Sequence, residues 1–67
     1  MKRIVVLGGG ESGTGAAVLA KTKGFEVWLS DMGAIKDKYK ALLNNYGIEW
    51  EEKQHTEEKI LLSLIHI

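Results

Sequence analysis

No cysteine occurs among the 67 residues, which excludes a disulfide framework and any zinc site built on thiolates. Two histidines are too few for a typical structural metal site, so no metal ligands are assigned. The lack of thiols is compatible with a cytoplasmic setting. Net charge is missing as well. Nine basic and nine acidic residues cancel, leaving no electrostatic pull toward nucleic acid or an anionic membrane. No apolar run approaches the roughly 18 residues that a membrane span needs. Met1-Lys2-Arg3 before Ile4-Val5-Val6-Leu7 opens like a secretory signal, but the run stops after four residues at glycines and the charged Glu11, and it is not read as one. Neither nucleic acid nor membrane is expected as a partner. Length is also scarce: a domain of about 60 residues buries only about 60% of its unfolded surface, so partners or further sequence are expected.

Glycine, by contrast, is concentrated in one place. Gly8-Gly9-Gly10-Glu11-Ser12-Gly13-Thr14-Gly15 follows the apolar run Ile4 to Leu7 and leads into the helix-forming run Ala16 to Ala20. Gly8, Gly10 and Gly13 meet the G-x-G-x-x-G spacing, in which the first glycine makes the tight turn, the second admits a pyrophosphate to the backbone and the third lets helix and strand pack closely. A helix starting near Ser12 directs unpaired N–H groups and the positive end of its dipole at the loop, which favours an anion there. Asp31 stands at the end of Val27-Trp28-Leu29-Ser30, close to the spacing at which an acid completes this fingerprint. A phosphate loop of the Walker kind is excluded, because Gly13 is followed by Thr14-Gly15 and not by Lys and Ser/Thr. The plain alternative is a tight strand-to-helix turn without a ligand.

The elements follow in order. Lys2 to Leu7 reads as a central strand buried on both faces. The first helix is expected from Ser12, as N-cap, to Lys23, with Gly24 past its end. Phe25 to Ser30 reads as the second strand. Ile35, Tyr39, Leu42, Leu43 and Tyr46 form one apolar stripe of a second helix, which puts Lys36, Lys38 and Lys40 mostly on its solvent side as a solvated face. Ile48-Glu49-Trp50-Glu51 alternates as a strand near a sheet edge. Thr56 with Glu57 and Glu58 predicts a short third helix, and His55 just before it reads as a surface residue. The apolar end, Leu62 to Ile67, has no clear period or terminator. It is expected to add a makeshift strand beside Ile4 to Leu7 or to leave that edge open to self-association.

The fold class is therefore α/β: a Rossmann-like half, β-α-β-α-β-α in three layers, with a parallel sheet in the order 3-2-1, incomplete. Ligands bind outside the carboxyl ends of such strands, where Gly8 to Gly13 and Asp31 to Gly33 converge on one crevice.

The stretch Ile4 to Gly13, the Ser30-Asp31 strand end, and Gly47-Ile48-Glu49-Trp50-Glu51-Glu52 with Gln54 to Leu61 together resemble the amino terminus of the Mur ligases of peptidoglycan synthesis, at their D-glutamate-adding branch. The resemblance covers about residues 1 to 61. It implies a partial UDP-substrate-binding domain over 1–61, an atypical tail over 62–67, and UDP-N-acetylmuramoyl-L-alanine as the ligand. Gly8, Gly10, Ser12 and Gly13 are implied around the diphosphate with Glu11 on the loop, and Asp31, Met32 and Gly33 beside the uracil. Many members carry hydroxyl and basic residues after the acid. With Met32 and Gly33 there instead, backbone contacts to the base are expected. The implied parent is an ATP-dependent ligase of the cytoplasm, serving cell-wall biogenesis, cell shape and division. Its ATP and magnesium belong to a central domain and its D-glutamate to a third, so no cofactor and no catalytic residue is assigned here. This chain alone is expected to be inactive, and its tail is read as the unrelated end of a truncated frame. Two other readings are carried: the NAD- or FAD-binding start of an oxidoreductase, with Asp31 accepting from a ribose hydroxyl, and a fragment without ligand function.

Overall fold

The apolar run after Arg3 forms β1 (Arg3–Leu7), and the glycines after it release the chain into α1 (Glu11–Thr22). This computed structural model describes residues 2–54 and 65–66. The chain returns as β2 (Glu26–Ser30), crosses again through α2 (Asp37–Asn45), and adds β3 (Glu49–Glu51) and β4 (Ile65–His66). All neighbouring strands are parallel, in the order β3-β2-β1-β4. The first three strands keep the expected 3-2-1 order of a Rossmann-like half. The expected third helix from Thr56, its cap and His55 lie outside the described residues.

Register explains how the sheet is buried on both faces. Ile4 pairs with Val27 and Val6 with Leu29, and these four form one core with Ala17 and Ala20 of α1, Leu43 of α2, Ile35 and Ile48. Small alanines on α1 allow the close approach that parallel crossovers need. Val5 and Trp28, also paired, fall on the opposite face of the pleat, and both are buried as well. β3 stands at the edge, as its alternation predicts, and two residues of the tail pair with β1 on its other side: Ile4 with Ile65 and Val5 with His66.

Four local expectations need correction. The N-cap of α1 is Gly10, in an extended conformation and without a side-chain cap, and Ser12 lies inside the first turn. The other end is as expected: Lys23 is the C-cap of α1, and Gly24 just past it turns the chain with φ +91°. The second helix begins at Asp37, so Ile35 precedes it. Ile35 is nonetheless only 3% exposed, because it plugs the space beside the glycine loop. Of the stripe on α2, Leu43 is buried and Tyr39 half-buried, while Leu42 and Tyr46 are exposed: a nine-residue helix beside a three-residue edge strand has too little sheet to cover them. Lys40 is not on the solvent side. Its ammonium pairs with Glu52 at 2.9 Å and lies 5.4 Å from the centre of the Trp50 ring.

Candidate functional site

The carboxyl ends of β1 and β2 bring the glycine loop and Asp31 together. Gly8 has φ +113°, a conformation that side chains rarely adopt, and its N–H donates to the Ser30 carbonyl at 2.7 Å, extending the β1–β2 ladder by one rung. A Cβ on Gly13 would lie 1.8 Å from the Gly8 carbonyl oxygen. The start of α1 is thus pressed against the end of β1, which is the role of the third glycine. Gly10 is different: it is exposed and a Cβ there would meet nothing within 4 Å.

Beyond Gly9, the next four main-chain donors are not used within the described fold. The Thr14 N–H makes the first helical bond, to the Gly10 carbonyl at 2.9 Å. Among the described residues the N–H groups of Gly10, Glu11, Ser12 and Gly13 have no protein acceptor. Glu11 and Ser12 are exposed. These four donors and the helix dipole favour an anion such as a phosphate group there, against the opposing charge of Glu11 in the same turn.

Gly9, which the motif gives no role, holds the loop in place. Its N–H donates to Asp31 Oδ2 at 2.7 Å, and its carbonyl accepts the Thr14 hydroxyl at 3.3 Å. A Cβ on it would come within 2.8 Å of Ile35 Cγ1. The other Asp31 oxygen, Oδ1, accepts the Gly33 N–H at 2.8 Å, which closes a tight turn with Met32 at its tip, 65% exposed. From the far side, the Asp31 N–H donates to the Glu51 carbonyl, while the Gln54 and Lys53 N–H groups donate to the Asp31 and Gly33 carbonyls. The turn after β2 is therefore held from both sides. The structure brings Gly8, Gly10, Glu11, Ser12, Gly13, Asp31, Met32 and Gly33 to one end of the sheet. Sequence reasoning passed over Gly9, Thr14, Ile35 and Glu52. A hydroxyl on the inner side of the first helical turn was the only available hint, at Thr14.

Glu52 fastens the outer wall. Its Oε1 accepts the Ile35 N–H at 2.9 Å and its Oε2 takes the Lys40 ammonium. The hydrogen bond from Lys40, with the Ile35 N–H behind it, holds the Glu52 carboxyl below its ordinary value of 4.5. A depressed carboxyl stabilises the fold fully above the unfolded pKa, and that contribution is lost as pH falls through the lower folded value. The difference in melting temperature between the parent chain and Glu52→Gln is therefore expected to be greatest above about pH 4.5 and to shrink as the pH falls below it. Melting curves at a constant separation across that range would contradict it.

A cavity of about 190 Å³ lies elsewhere, at the amino ends of the strands, among Arg3, Lys21, Glu26, Trp28 and Glu49. Its cations and carboxylates are balanced, and Arg3 already pairs with Glu26 at 2.8 Å, so it has no surplus charge for an anion. Among the described residues no group of three or more His, Cys, Asp or Glu side chains is placed to hold a metal ion. No helix there is long and apolar enough to cross a membrane.

The sequence profile described as the MurD N-terminal domain matches residues 3–63. A protein from Bacteroides fragilis named UDP-N-acetylmuramoylalanine--D-glutamate ligase is 74% identical over 61 residues, which are 91% of this chain and 14% of that protein. One of the same name from Bacteroides thetaiotaomicron is 72% identical over the same shares of the two chains. The chain thus spans about a seventh of the length of these curated relatives. Among solved structures, Bacillithiol Disulfide Reductase Bdr from Bacillus cereus is similar with a TM-score of 0.63 and 27% identity, over 81% of this chain and 19% of that one.

Proposed function

The chain belongs to the MurD N-terminal domain family, and from that membership we propose that it holds the UDP end of UDP-N-acetylmuramoyl-L-alanine for a D-glutamate-adding ligase of peptidoglycan synthesis. The observation that carries this reading is the row of four unpaired N–H groups, Gly10 to Gly13, at the start of α1, beside a glycine with open space where its Cβ would be. Gly8 and Gly13 shape the cradle, Gly10, Glu11 and Ser12 border the diphosphate, and Asp31, Met32 and Gly33 face the uracil. Residues 1–61 are the substrate-nucleotide domain, followed by the atypical tail 62–67, whose Ile65 and His66 pair with β1. In the whole ligase, a protein of the cytoplasm, ATP with magnesium activates the substrate carboxylate as an acyl phosphate for attack by the D-glutamate amine. Both act in sequence beyond this chain, which supplies orientation and no catalytic group and is inactive alone.

The second reading, a dinucleotide-binding segment of an oxidoreductase, draws on the likeness to the disulfide reductase. In that reading Asp31, whose two oxygens each accept one main-chain N–H, has only their remaining lone pairs for a ribose hydroxyl. Amide NMR titration of the chain with UDP and with NADH separates the two. UDP is expected to shift the Gly10 to Gly13 and Asp31 to Gly33 signals more strongly than NADH at equal concentration. The reverse order would reject the ligase reading.

A further inference from the structure

Asp31 joins two loops that sequence keeps apart. One oxygen holds the Gly9 N–H of the first loop and the other holds the Gly33 N–H of the second, at 2.7 and 2.8 Å. Both are charge-assisted bonds, the stronger kind. Gly9 is hemmed in by Ile35 and Leu29 on one side and bonded through its carbonyl to the buried Thr14 hydroxyl on the other. With its N–H on Asp31 and its carbonyl on the Thr14 hydroxyl, the peptides on both sides of Gly9 are held, and the next four donors, which have no protein acceptor among the described residues, follow from a fixed point. The carboxylate thereby takes one N–H of the loop and orients the others.

We infer that Asp31 is a positioning residue for the phosphate end of the ligand: by tying Gly9 to Gly33 it presets the donor row of Gly10 to Gly13. This rests on the reading of that row as a diphosphate cradle. It goes further by giving the acid beside the base a second task at the other end of the nucleotide. A donor row set before binding leaves less conformational freedom to lose when the anion arrives.

The two roles of Asp31 are separated by a ligand with no base. Inorganic pyrophosphate occupies the cradle and cannot reach the uracil position. Calorimetric titration of the chain and of Asp31→Ala with pyrophosphate and with UDP is expected to show both ligands weakened, pyrophosphate by about tenfold, within the range for losing hydrogen bonds to a charged group. Amide hydrogen exchange on the same samples is expected to speed up at Gly9 and Gly33 while Val5 and Leu29 stay protected, which distinguishes a released loop from a loosened fold. Asp31→Asn, nearly the same shape, puts an NH2 group against one of the two N–H donors and is expected to weaken pyrophosphate similarly. It carries the test if the alanine variant does not fold. Unchanged pyrophosphate affinity in the folded variants, with UDP alone weakened, would overturn the positioning role and leave the cradle standing. A parent chain that binds neither pyrophosphate nor UDP would reject the cradle and the inference together.

Discussion

Gly13→Ala is expected to abolish the folded state of the chain. The added Cβ would lie 1.8 Å from the Gly8 carbonyl oxygen and 2.9 Å from its carbon, and both atoms are backbone. No side chain can swing aside. Either α1 lifts from β1, uncovering Ala17 and Ala20, or the Gly8 turn reorganises and loses its bond to Ser30. Overpacking of this kind costs about 3 kcal/mol or more when the neighbour cannot yield, and a core of this size rarely supplies more than about 3–5 kcal/mol. The check is a thermal scan by circular dichroism, with no cooperative transition expected for the variant. A melting temperature within a few degrees of the parent would show that the contact between Gly13 and Gly8 is not needed.

Gly10→Val is expected to have the opposite profile: a chain that folds and does not bind. Gly10 sits at φ −78° and ψ −168°, extended backbone that valine adopts readily, and its Cβ would meet no atom of the protein. Loss of a good N-cap residue costs about 1 kcal/mol or less, within what the fold can tolerate. A branched side chain at that point stands over the donors of Glu11 and Ser12, so UDP affinity is expected to fall by more than about tenfold, roughly 1.4 kcal/mol. Titration by calorimetry, with a melting curve on the same sample, measures both halves. Normal UDP binding by the folded variant would remove the diphosphate from this loop.

These two glycines mark how far the site was legible in sequence. Both are called for by one motif, and the motif assigns them different roles that the coordinates distinguish: Gly13 is constrained from within the protein, while the space beside Gly10 is left for something outside it. The run Ile4 to Leu7, the strand ending at Ser30 and the alternation at Ile48 to Glu51 were readable because period and burial act along the chain. What escaped depends on contacts between segments far apart in sequence. Ile35 looked like the first residue of a helical stripe, yet the hole beside Gly9 and Leu29 decides its place. Lys40 looked solvated because the Glu52 and Trp50 that engage it come from another element. Asp31 was visible as an acid at the right distance, but its two main-chain partners appear only once the loops are folded together.

The arrangement of strands also bears on the order of assembly. β1 joins β2 over five residue pairs and β4 over two. Ile4 and Ile65 are about sixty positions apart, against about twenty for Ile4 and Val27, and the longer closure costs about 1 kcal/mol more in chain entropy. The β1–β2 unit is therefore expected to form before β4 docks. Once folded, the main-chain groups of β1 that face β4 can open locally without disturbing those that face β2, so the two sides of a single strand are expected to exchange their protons on different timescales.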